Sequence, residues 1–147
     1  MCQNWSGRNG RILARKRKQM PKFQNLPSEH EEQVATVEYI ERKYPKVLFW
    51  ANPNGAHLSG NIKQRSAQMN KLKAEGFLPG VADLTIFEPR GKYSAMFLEM
   101  KRSDGGGGAS DNQLDFIREV EKRGAFAAVA KGFEEAKEFI DNYLAME

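Results

Sequence analysis

The segments Gly80-Val81-Ala82-Asp83-Leu84-Thr85-Ile86-Phe87 and Met96-Phe97-Leu98-Glu99-Met100-Lys101 read as paired strands. Between them lies the turn sequence Glu88-Pro89-Arg90-Gly91-Lys92. Positions 83 and 99 are symmetric about Gly91, so a hairpin centred there makes Asp83 and Glu99 cross-strand neighbours on one face. Strand alternation places Lys101 on the same face as Glu99, with Leu98 and Met100 on the other. Two carboxylates and an ammonium on an apolar hairpin make a poor core. They make a good metal site.

The residue types suit that chemistry. A hard cation such as Mg²⁺ prefers oxygen ligands and keeps several waters, so two carboxylates and a backbone carbonyl suffice. A metal-bound water is the better nucleophile, and the cation offsets charge building on a phosphate. A nearby ammonium can position or deprotonate that water and stabilise the pentavalent transition state. The bland alternative is a solvated face with an ordinary Lys–Glu pair.

Three stretches together carry a family resemblance: Gly76-Phe77-Leu78-Pro79-Gly80-Val81-Ala82-Asp83-Leu84, then Phe97-Leu98-Glu99-Met100-Lys101, then Ser110-Asp111-Asn112-Gln113. They resemble the VRR-NUC domain of the PD-(D/E)XK nuclease superfamily, in the short stand-alone form encoded by phages and prophages. The likeness runs from about Pro27 to Leu144. One departure is visible: Ala82 stands where the superfamily usually has proline, which affects backbone geometry and not the ligand set.

The net charge of +4 conceals two regions. Of the 23 Lys and Arg residues, seven lie in residues 1–25 (Arg8, Arg11, Arg15, Lys16, Arg17, Lys18, Lys22) without any acid. The remaining 122 residues hold 16 basic and 19 acidic side chains, a net of −3. We therefore expect a basic flexible arm over residues 1–26 and a nuclease-like domain over residues 27–147. Such an arm suits contact with phosphates, or is simply solvated. Cys2 is the only cysteine, which excludes an intrachain disulfide and a cysteine-based zinc site, and His30 and His57 are too few to make a zinc site alone. No apolar run approaches the roughly 18 residues of a membrane span. With no signal-peptide pattern in the polar, basic N-terminus, a cytoplasmic location is the expectation, in a bacterial or phage-infected cell if the resemblance holds.

Along the chain, Ser28 and Glu31 form a capping-box pattern opening a helix. Glu29, Gln33, Val37, Ile40 and Tyr44 make one stripe of it, and Pro45 ends it. Val47 to Ala51 is a short strand, and Asn52-Pro53-Asn54-Gly55 is turn chemistry. Ile62 to Glu75 reads as a helix closed by Gly76. The hairpin strands follow, at roughly Asp83–Phe87 and Ser94–Lys101, and then a glycine-rich loop, Gly105 to Gly108. Ser110 caps a helix running to Gly124, Phe126 to Ala130 is a buried strand, and Phe133 to Leu144 a last helix. This order predicts an α/β fold with a mixed sheet flanked by helices. It is compatible with the restriction-endonuclease-like αβββαβ core that the resemblance implies, with one helix inserted after the first strand.

The resemblance also implies an acid on the first helix, followed by a glutamine, facing the metal. Glu29 and Gln33, one turn apart on the inward stripe, are the candidates. Glu32 is the alternative, and a plain helix-dipole role for Glu29 stays open. Gln113 matches the glutamine of the family's Ser-x-x-Gln pattern, although with Ser110 it is equally a capping box. From Asn52 to Ala74 there is no acid, and Asn54, Lys63, Arg65, Lys71 and Lys73 are candidates for contacting a nucleic-acid backbone.

Together these imply a metal-dependent endodeoxyribonuclease, in which Asp83, Glu99 and the Met100 carbonyl hold Mg²⁺ or Mn²⁺. Glu29 would act directly or through water, and Lys101 would orient the attacking water. By the same resemblance the substrate is branched DNA such as a four-way junction, the products carry 5′-phosphate and 3′-hydroxyl ends, and the enzyme is a homodimer. The rivals are an inactive DNA-binding module and a nicking or non-specific nuclease.

Overall fold

The computed structural model describes residues 26–53 and 58–147. The basic arm of residues 1–25, and Asn54 and His57, lie outside the described residues. In chain order the elements are α1 (Glu29–Lys43), β1 (Phe49–Ala51), α2 (Ile62–Ala74), β2 (Leu84–Ile86), β3 (Met96–Lys101), α3 (Asp111–Lys122), β4 (Phe126–Lys131) and α4 (Gly132–Leu144). The sheet runs β1-β2-β3-β4, antiparallel except for the β3–β4 pair. This is the mixed α/β sheet read from the sequence. None of the described helices is long and apolar enough to cross a membrane.

The hairpin register is the one centred on Gly91, with Leu84 opposite Leu98 and Ile86 opposite Met96. Leu84, Ile86, Met96, Leu98 and Met100 share one face and are fully buried against Ile40 of α1 and Ile140 and Tyr143 of α4. The opposite face carries Phe97, whose ring meets Phe116 of α3 edge-on at 5.3 Å. Parallel β3 and β4 need a crossover connection, and α3 supplies it.

Strands β1, β2 and β3 fall short of the expected bounds, whereas β4 runs one residue further, to Lys131. Val47 bonds back to Tyr44 in a turn, and β1 keeps only three residues, although Leu48 still accepts from the Phe87 amide at 2.8 Å. The inward stripe of α1 is also rotated. Its buried residues are Glu32, Thr36 and Ile40, with Glu29, Gln33 and Val37 only partly covered. The cause lies far along the chain, because Glu32 Oε2 accepts from the Phe133 amide at the start of α4, at 2.7 Å. A carboxylate there offsets the positive end of the α4 dipole.

Helices α1 and α4 are also joined by Asp141, which accepts from Tyr39 Oη at 2.6 Å, Tyr44 Oη at 2.7 Å and Lys43 Nζ at 2.8 Å. Burial would raise its carboxyl, but these three donors outweigh that and hold it below the usual carboxylate range. Its contribution to stability is therefore complete at neutral pH and lost in acid, as pH falls through the depressed value. Asp141→Ala is expected to cost about 2 kcal/mol in urea unfolding at pH 7, and less below pH 4.

Candidate active site

Glu99 sits near the end of β3 and is 1% exposed. Its Oε1 accepts from Lys101 Nζ at 2.7 Å and from Gln113 Nε2. Its Oε2 is buried with no hydrogen-bond partner among the described residues. A buried carboxylate oxygen without a donor costs free energy unless something cationic meets it. Burial raises the Glu99 carboxyl from its ordinary 4.5 to about 7; Lys101 opposes this, while Asp83 and Glu29 reinforce it.

Asp83 precedes β2, in the position opposite Glu99 that the register requires. Its Oδ2 accepts from the Met100 amide at 2.7 Å. Within a strand, one residue's N–H and C=O face the same edge. The Met100 carbonyl therefore points to the side where β2 has ended and Asp83 begins.

Lys101 Nζ lies 3.9 Å from Glu29 Oε2 as well as 2.7 Å from Glu99. Burial pulls this amine down, but the hydrogen bond to Glu99 and the attraction of Glu99, Glu29 and Asp83 outweigh it and raise it above its ordinary value. Lys101 is an ammonium in this setting. Of the two first-helix acids, Glu29 faces the cluster, whereas Glu32 is spent on α4.

Gln113 does both things that its spacing allows. Its Oε1 accepts from the Ser110 amide at 2.8 Å in a capping box, while its Nε2 reaches Glu99. The cap thereby fixes the amide that orients the carboxylate.

Sequence reading missed two supports. Asn52 donates to the Ala82 carbonyl at 2.8 Å and to Thr85 Oγ1 at 2.9 Å, and its amide donates to the Asp83 carbonyl at 2.8 Å. The backbone before Asp83 is thus held by a side chain, at the place where the resemblance leads one to look for proline. An asparagine ahead of Pro53 was the available signal, but turn chemistry explained it equally well. The second support is Gly80, whose φ is +86° and where a Cβ would stand 2.4 Å from the Asn112 carbonyl oxygen. Only glycine lets the first turn of α3, and hence Gln113, come so close. Gly80→Ala is expected to displace Gln113 and to lower any reaction run at this site by about 10²-fold, because small displacements of reacting groups carry penalties of that size. Comparing kcat with thermal melting would separate this from simple unfolding.

The basic candidates share one helix. Lys63, Arg65, Lys71 and Lys73 are all on α2 and exposed.

Three carboxylates around one ammonium leave the cluster with surplus negative charge. Among the described residues, no three His, Cys, Asp or Glu side chains are grouped so as to hold a metal ion by themselves. The donor set that would fit a divalent cation is two carboxylates, Asp83 and Glu99, with the Met100 carbonyl, and Glu29 faces the same cluster through Lys101. The unpartnered Glu99 Oε2 agrees with that fit.

A model of the VRR-NUC domain matches residues 24–134. Among solved structures, one described as a VRR_NUC domain protein is similar at 26% identity and a TM-score of 0.68, over 82% of this chain and 90% of that one. No curated protein matches the sequence.

Proposed function

This chain belongs to the VRR-NUC domain family, a nuclease-type family, and from its site we propose that it is a metal-dependent endodeoxyribonuclease of the PD-(D/E)XK kind. The observation that carries this reading is Glu99, fully buried yet left with one oxygen unpartnered beside Asp83 and Lys101. A carboxylate kept in that state has a task other than stability.

Asp83, Glu99 and the Met100 carbonyl would hold Mg²⁺ or Mn²⁺, with Glu29 contributing through water. When bound, the cation would offset charge on the phosphate and make water more acidic. Lys101, as an ammonium, holds water and a phosphate oxygen in line for attack. Gln113 keeps the Glu99 carboxylate in place through Oε1. Water oxygen bonds to phosphorus as its proton passes to solvent, the bond to O3′ breaks with O3′ taking a proton from water, and the products are a 5′-phosphate and a 3′-hydroxyl. The basic residues Lys63, Arg65, Lys71 and Lys73 would contact the DNA backbone, joined by Asn54 and the basic arm. A symmetric branch requires two sites for two cuts, so a homodimer acting on four-way junctions is the form that suits this chemistry.

The test uses labelled four-way junction, duplex and single-stranded DNA with Mg²⁺, Mn²⁺ or EDTA. Metal-dependent cutting strongest on the junction is the expected result. Equal cutting of all three would remove the branch preference, and binding without cutting under any metal would overturn the enzyme reading.

A further inference from the structure

Helix α2 has little to hold it in the free protein. None of its 13 residues is buried, and among the described residues no other helix or strand packs along it. Lys63, Arg65, Lys71 and Lys73 fall on all sides of its axis, with no acid within the helix to balance them. Glu75, just past its end, stands 3.9 Å from Lys71 in an exposed pair. Only Gln68, Met69 and Leu72 are partly covered, so α2 lacks the wide buried stripe by which helices fasten to a core. Isolated helices shorter than roughly 12–15 residues are marginal in water.

Its first turn adds a penalty. It contains no acid, and Lys63 sits near the positive end of the helix dipole. The helix is defined at its ends, and Arg65 Nε and Gln68 Nε2 donate back to the Gly60 and Ser59 carbonyls at 2.9 and 3.0 Å. Asn61 and Gln64 form a capping box, with Gln64 N donating to Asn61 Oδ1 at 3.0 Å and Asn61 N to Gln64 Oε1 at 2.8 Å. At the other end Phe77 N donates to the Leu72 carbonyl at 2.9 Å and Gly76 N to the Lys73 carbonyl at 3.1 Å. These caps set the limits of α2 without attaching it to the body.

We propose that α2 is an arm ordered by DNA, partly melted in the free protein and fully helical when a phosphate backbone lies against it. The inference rests on the reading that the chain acts on DNA. Phosphates would neutralise the mutual repulsion of the four cations and remove the dipole penalty in the first turn. DNA fits better than a protein groove, which would need apolar anchors spaced along one face. The most exposed apolar side chain of α2 is Ile62, at 81%, and it stands at the helix start.

Hydrogen exchange on the full chain in EDTA, with and without a short duplex DNA, tests this. In the free protein, amides 66–74 are expected to exchange more than about tenfold faster than those of α1 and α4, and to slow about tenfold with DNA. A second measurement uses Ala67→Gly combined with Asn70→Gly, both exposed and both leaving the charge unchanged. The pair is expected to weaken duplex binding about tenfold while Tm is unaltered. Strong protection of α2 without DNA, a lowered Tm in the glycine pair, or unchanged affinity would each overturn the proposal. DNA that is bound and cut in Mn²⁺ without protecting α2 would remove the arm and leave the nuclease. Protection of α2 by DNA that no metal causes to be cut would support the arm and remove the nuclease.

Discussion

Glu99→Ala is expected to lower cleavage on the order of 10³-fold in a protein that still folds, and Lys101→Ala on the order of 10²–10³-fold. The two effects should not add. Lys101 Nζ and Gln113 Nε2 both meet the same Glu99 oxygen, so removing that carboxylate releases the other two groups together. A double variant no worse than Glu99→Ala is the expected pattern. Single-turnover cleavage of labelled DNA in Mn²⁺ measures it, with circular dichroism as the check on folding. Asp83 would be a less clean choice for this test, because its Oδ2 also restrains the Met100 amide.

The same residue should make the protein less stable than it need be. Glu99 titrates at about 7 when buried, against an ordinary 4.5. The folded state therefore binds a proton more tightly than the unfolded one. Stability contributed by that proton is complete below pH 4.5 and is lost as pH rises through about 7. The loss amounts to about 3 kcal/mol across that window. Lys101, raised in the same cluster, works in the alkaline range and leaves this window unaffected.

Glu99→Gln imitates the protonated acid permanently. In EDTA it is expected to lack the decline and to exceed the wild type by about 3 kcal/mol at pH 8, while cutting no DNA. Urea unfolding at pH 5 and pH 8 measures both. Mn²⁺ should then stabilise the wild type at pH 8 and not the variant, since only a ligand-competent site gains from binding. A variant as pH-dependent as the wild type would locate the proton elsewhere.

How much of this was legible beforehand differs from residue to residue. The hairpin register was, because a turn centred on Gly91 fixes every pair and places Asp83 opposite Glu99. Caps were legible too: Ser28 with Glu31 and Ser110 with Gln113 are local patterns of spacing three, and both formed. Choosing between Glu29 and Glu32 was not possible locally. That choice depends on where α4 begins, about a hundred residues later, since Glu32 turns to the Phe133 amide and leaves Glu29 facing Lys101. The same long-range contact rotated the buried stripe of α1. The role of Asn52 was hidden for a related reason, because its partners Ala82 and Thr85 are neighbours only once β1 and β2 pair. For α2 the pattern gave the helix and its ends, but absence of packing is a property of the fold.

A divalent cation held between Asp83, Glu99 and the Met100 carbonyl is the claim on which the nuclease reading turns. The direct test is anomalous diffraction from a crystal of the whole chain soaked in Mn²⁺. One peak within bonding distance of both carboxylates, roughly 2.1–2.3 Å, is the expected result. A fully exchanged crystal with no peak there, or with manganese bound only elsewhere, would contradict it.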